Sequence, residues 1–158
     1  LRGSSEPGRS GSLKEMVNDA LPRTAILTEK KKQKVILSAE HDVELQLDRN
    51  LITGVIVELV ENASCYSENE TEIHVRLQKH HGGALVEVQD HGAGIPEADR
   101  ENVFHEFIRG SNAAKYKAVG NGLGLFIAKG IVEMAGGHMW LQSVEGKGTT
   151  VSFTLPRH

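Results

Sequence analysis

Apolar side chains recur along this chain with two periods, and the switches between them predict its elements. Beyond the polar residues 1–11 (LRGSSEPGRSG), Leu13, Met16, Val17, Ala20 and Leu21 keep the spacing of one helix face. Ser12-Leu13-Lys14-Glu15 has the S-x-x-E form of a capping box, so order begins at Ser12. Pro22 lacks an amide proton and crowds the preceding turn, so it is expected to end or kink this helix. The lysine-rich run 29–34 (EKKKQK) reads as a solvated helix end rather than a basic contact patch. Residues 35–38 and 43–47 read as short strands around a turn at His41-Asp42. Leu51, Ile52, Val55, Ile56, Leu59, Val60 and Ala63 then form a strong helical stripe. Residues 71–79 and 84–89 alternate on either side of His80-His81-Gly82-Gly83, which predicts a hairpin. A short helix is expected over 97–107 and a mobile loop over the aperiodic stretch 110–120. Leu123, Ile127, Ile131 and Met134 mark a helix over 123–135, stopped by Gly136-Gly137. A last hairpin pairs 139–144 with 149–155 through Glu145-Gly146-Lys147-Gly148.

Neighbouring strands in this order are joined mostly by hairpins rather than by crossover helices. That predicts an α/β fold, a two-layer α/β sandwich whose mixed, mostly antiparallel sheet carries its helices on one face. A doubly wound parallel sheet is disfavoured. The length, 158 residues, suits one domain. Its expected extent is 12–158, with the Gly/Ser-rich residues 1–11 read as a linker or cloning remnant. One cysteine, Cys65, excludes an internal disulfide and a multi-cysteine zinc site, and fits a reducing, cytoplasmic compartment. The net charge of −3 supplies no basic field for nucleic acid or anionic lipid. No apolar run approaches the ~18–20 residues of a membrane span. Neither nucleic acid nor direct membrane contact is therefore expected.

Four features bear on chemistry. Glu58 and Asn62 stand four residues apart and share one face of the long helix. An amide oxygen there can hold Mg²⁺ and a carboxylate can take a proton, or both simply face water. Asp90-His-Gly92-Ala-Gly94 ends a strand, either as an ordinary turn or as an acceptor for an exocyclic amine with glycines admitting a flat ligand. Gly120-Asn-Gly122-Leu-Gly124-Leu125 opens an apolar helix, whose free amides suit a polyphosphate better than they suit a plain loop. It is neither a Walker A loop nor the dinucleotide fingerprint. Gly146-Lys-Gly148-Thr149 is explained by a hairpin turn alone.

The order and spacing of these features, with Val103-Phe104-His-Glu-Phe107-Ile-Arg109 between the second and third, are more specific than any one of them. Together they resemble the ATP-binding catalytic domain of the two-component sensor histidine kinases, in the superfamily that includes gyrase B, MutL and the heat-shock chaperones. The likeness runs from about Ser12 to Pro156. It implies Asn62 on Mg²⁺, Asp90 on adenine N6 with Gly92, Gly94, Ile95 and Thr149 around the base, and Tyr66 stacked nearby. It implies Gly120, Gly122, Leu123, Gly124 and Leu125 on phosphate, Arg109 at the γ-phosphate beside Phe107, and Glu58 as general base. Residues 110–120 correspond to the lid over ATP. Many members carry lysine where this chain has Cys65, and Lys115 or Lys117 is the candidate replacement cation.

The implied reaction is transfer of the γ-phosphoryl group of Mg²⁺-ATP to a histidine. No histidine here lies in the family's phosphoacceptor context, so the acceptor belongs to a separate dimerisation domain, through which a response regulator is reached. The setting is cytoplasmic, including for a membrane-anchored parent. Two alternatives stay open: an ATPase or serine kinase of the same superfamily, and a nucleotide-gated interaction module without turnover.

Overall fold

The computed structural model describes residues 11–94 and 124–156. Strand β1 (Gly11–Ser12) leads into helix α1 (Leu13–Lys30). The side chain of Ser12 caps α1 by accepting from the Glu15 amide at 3.1 Å, as the capping box predicts. Asp42 reinforces this start, accepting from the Lys14 amide at 2.9 Å and from the Ser12 hydroxyl. Pro22 does not end the helix, which continues for two further turns. One lost backbone bond is outweighed by the stripe Met16, Val17, Ala20, Thr24 and Thr28, all buried along α1.

Strand β2 (Lys34–Ala39) and strand β3 (Glu44–Leu45) follow, then helix α2 (Arg49–Tyr66). Asp48 caps α2, its Oδ1 accepting from Asn50 at 3.0 Å and Leu51 at 3.2 Å. Strands β4 (Glu72–His80) and β5 (Gly83–Gln89) form the expected hairpin. Helix α3 (Gly124–Met134) precedes the second hairpin, β6 (His138–Val144) with β7 (Gly148–Leu155).

The main sheet runs β2-β4-β5-β7-β6, antiparallel throughout except for β2 with β4. β2 and β3 are not partners across the His41-Asp42 turn. β2 lies parallel to β4, with Val35 opposite Ile73, whereas β3 pairs with β1 in a separate two-stranded ribbon. Alternation sets the layers. Ile73, Val75 and Leu77 of β4, Val86 and Val88 of β5, and Val151, Phe153 and Leu155 of β7 are buried in one cluster with the three described helices. The intervening Glu72, His74, Arg76, Glu87 and Gln89 face the other way and are only partly covered or exposed. The helices thus lie on one face of a mixed, mostly antiparallel sheet.

Candidate functional site

Four elements, α2, α3, β5 and β7, contribute to one candidate site. α2 contributes Glu58, Asn62 and Tyr66, spaced by four on one face. Glu58 and Asn62 are half-buried in a helix whose stripe is otherwise apolar. Burial raises the Glu58 pKa above the ordinary carboxylate value, and the nearby charge of Glu61 raises it further. α3 starts directly over this carboxylate: a Cβ at Gly124 would stand 2.2 Å from Glu58 Oε2. A larger residue there would displace the end of the Glu58 side chain rather than any backbone. Leu125 is 3% exposed and commits its side chain to the core, leaving its main chain to the site.

Asp90 follows the last residue of β5 and is 3% exposed. One carboxylate oxygen, Oδ1, accepts from the Gly92 amide at 2.9 Å and from the Thr149 amide at 3.1 Å. The Asp90 amide donates back to the Thr149 carbonyl at 2.8 Å, so the side chain is fixed between a loop and β7. Burial pushes its pKa up to about 6, while the two amides pull the other way. Thr149 Oγ1 and Ser143 Oγ are 2.8 Å apart. An open concavity of about 550 Å³ is lined here by Gln89, Asp90, Ser143, Lys147 and Thr149, among others.

The loop after Asp90 is wedged between two backbones. A Cβ at Gly92 would lie 2.0 Å from the Tyr66 carbonyl oxygen, and one at Gly94 would lie 2.3 Å from that of Val144. Gly94 also has φ +74°, which side chains disfavour. Ala93 N donates to Tyr66 O at 3.4 Å, and Gly146 N donates to Ala93 O at 2.5 Å. The glycine-rich β6–β7 turn therefore supports the Asp90 loop.

The structure thus gathers Glu58, Asn62, Tyr66, Asp90, Gly92, Gly94, Gly124, Leu125 and Thr149 around the junction of α2, β5, α3 and β7. Ile95, Phe107, Arg109, Lys115, Lys117, Gly120, Gly122 and Leu123 lie outside the described residues, as do the expected helix over 97–107 and the loop 110–120. Cys65 is buried in a small cluster with Tyr66 and Leu27, and burial lifts its thiol to about 11. Among the described residues, no group of three His, Cys, Asp or Glu side chains is placed to hold a metal ion.

Residue-by-residue reading of the sequence missed Ser143 and Glu61. The predicted four-residue turn sets Val144 opposite Thr149, whereas the structure has a three-residue turn that pairs Val144 with Gly148 and brings Ser143 opposite Thr149. Lys31 and Gln33 were missed as well. The run 29–34 is not wholly solvated, since Gln33 is 7% exposed.

Residues 47–158 match the family described as "Histidine kinase-, DNA gyrase B-, and HSP90-like ATPase". The chain belongs to this family. Sensor histidine kinase WalK of Bacillus subtilis (strain 168) is 40% identical over 119 residues, covering 74% of this chain and 20% of WalK. Sensor protein kinase WalK of Staphylococcus haemolyticus is 37% identical over 113 residues, covering 70% of this chain and 19% of that protein. This chain therefore spans about a fifth of the length of these curated relatives. The nucleotide-free catalytic domain of histidine kinase ThkA superposes with a TM-score of 0.78 at 25% identity, covering 94% of each chain. The mycobacterial sensor histidine kinase MprB shares the fold, with a TM-score of 0.79 at 23% identity over 93% of this chain and 97% of that one.

Proposed function

We propose that residues 12–158 form the ATP-binding catalytic domain of a two-component sensor histidine kinase, and that it transfers the γ-phosphoryl group of Mg²⁺-ATP to a histidine on a separate dimerisation domain. The observation that carries this reading is the Asp90 arrangement. A buried carboxylate is pinned through Oδ1 by two backbone amides, which leaves Oδ2 to accept from an exocyclic amine such as adenine N6. The half-buried pair on α2 supports the rest. Asn62 offers a neutral amide oxygen, with the Glu58 carboxylate one turn away, and hard oxygen donors of this kind suit Mg²⁺. Asn62 would hold the ion, which when bound supplies charge neutralisation to the triphosphate. Glu58, held at the start of α3 with its proton affinity raised, suits removal of a proton from an incoming imidazole. Gly124 and the Leu125 amide suit the phosphate end, and the family likeness assigns Gly120, Gly122, Leu123, Arg109 and Lys115 to it as well. Tyr66, Gly92, Gly94 and Thr149 would border the base, to which the same likeness adds Ile95 and Phe107.

The domain would act on the cytoplasmic side of its parent and reach a response regulator through the phosphoacceptor domain. No described helix is long and apolar enough to cross a membrane. A second reading, hydrolysis of ATP, rests on the same Glu58, because a raised carboxylate also suits activation of water. Calorimetric titration tests the nucleotide claim. ATP and ADP should bind more tightly than GTP, whose carbonyl faces the Asp90 acceptor at a cost of roughly 1–3 kcal/mol. Equal affinity for GTP would overturn it.

A further inference from the structure

The end of α2 is gripped from behind by the connection between α1 and β2. Lys31 Nζ donates to the carbonyls of Ser64 and Ser67, each at 2.6 Å. Gln33 Nε2 donates to the carbonyls of Ser64 at 3.2 Å, Ser67 at 3.4 Å and Glu68 at 3.1 Å. Gln33 Oε1 accepts from the Ser64 hydroxyl at 2.5 Å. The Glu70 amide closes the knot on the Lys31 carbonyl at 2.9 Å. Helix C-terminal carbonyls commonly go to water or to a glycine cap. Here a cation, favourable at that end of the helix dipole, and a buried amide do the capping.

This junction is costly. Lys32 and Glu70 are non-glycine residues with φ of 55° and 66°. The Ser67 hydroxyl is buried with no hydrogen-bond partner among the described residues. Each such feature is unfavourable by itself and persists only where its surroundings over-determine it. Between Ser64 and Ser67 stand Cys65 and Tyr66, and the Tyr66 carbonyl receives the Ala93 amide and lies against Gly92. Gly92 in turn donates to Asp90 Oδ1. A continuous path of contacts therefore joins Lys31 and Gln33 to the acceptor at the candidate base site.

We infer that Lys31 and Gln33 are positioning residues for base recognition: by capping α2 they fix the level of the Tyr66 carbonyl, and through it the loop that aims Asp90. The inference rests on the proposed nucleotide function. They act through the loop, and the side chains that meet the base are others.

The test compares ATP with inosine triphosphate, which has a carbonyl in place of the N6 amine, by calorimetry well below the melting temperature of each variant. Gln33→Ala and Lys31→Met should each weaken ATP binding about tenfold, the worth of one good hydrogen bond. The ATP-to-inosine-triphosphate ratio should fall toward one, while affinity for inorganic triphosphate holds. Lys31→Arg, which keeps the donors, should restore the ratio. If the variants melt earlier with that ratio intact, the clamp is merely structural and the inference is overturned. Lys31→Met decides the matter should Gln33→Ala not fold. A parent chain that fails to discriminate between the two nucleotides would instead sink the proposed function.

Discussion

Asp90 is the residue on which most of the site's physics converges. Burial pushes its folded pKa up to about 6, above the ordinary aspartate value of 3.8. A carboxyl shifted upward favours the folded state below its unfolded pKa and loses that contribution as pH rises through its folded pKa. Asp90→Asn keeps an Oδ1 for the Gly92 and Thr149 amides but does not titrate. Between pH 7 and pH 4, the stability of the parent relative to Asp90→Asn should therefore rise by roughly 1–3 kcal/mol. Urea melts without nucleotide measure this, and a pH-independent difference would contradict the assigned burial. Adenine nucleotide affinity should move oppositely, weakening below about pH 6 as the acceptor is protonated. On α2, two neighbours divide binding from chemistry. Asn62→Ala should reduce Mg²⁺-dependent nucleotide affinity. Glu58→Gln should leave that affinity nearly intact and slow transfer to a supplied histidine domain by about 10²–10⁴-fold, the usual worth of a general base. Unchanged transfer rates in Glu58→Gln would remove it from the base role.

At the scale of elements, the ends of helices do much of the positioning. The start of α1 is tied to Asp42, thirty residues away from its Ser12 cap. Burial opposes the Asp42 charge, but the Ser12 hydroxyl and the Lys14 and Val43 amides outweigh it and hold the carboxyl below its usual range. A lowered carboxyl contributes stability above its unfolded pKa and loses it as pH falls through the folded value. Asp42→Ala should thus cost about 1 kcal/mol near neutral pH, as lost helix caps do, and progressively less in acid below the ordinary carboxylate range. Denaturant midpoints at the two pH values decide this, and an equal loss at both would assign the effect to packing. Local periodicity made α2, the β4–β5 hairpin and the β6–β7 hairpin readable, because each is specified by neighbours in sequence. Pro22 does not end α1, because the local rule meets a long tertiary stripe. The parallel pairing of β2 with β4 was not legible: its partners are separated by a whole helix, and nothing within either strand names the other.

For the molecule as a whole, the chemistry-bearing residues were legible where a motif had backbone necessity behind it. Gly92 and Gly94 each stand where a side chain would strike a neighbouring backbone, and Asp90 sits where a strand ends beside Thr149. The supports behind them were hidden. Lys31 and Gln33 look like solvated polar residues in sequence, and only the fold turns them onto the end of α2. Ser143 is an unremarkable strand residue until the hairpin register sets it against Thr149. ATP binding and the catalytic base are proposed to lie on this chain, and the acceptor histidine on another domain. Incubating it with γ-labelled ATP and Mg²⁺, alone and with a separate dimerisation domain carrying the phosphoacceptor histidine, measures that division directly. Acid-labile, base-stable phosphate should appear on the added domain and not on this chain, slowly because proximity is lost in trans. Such phosphate on this chain alone, or on neither protein while ATP is bound, would contradict it.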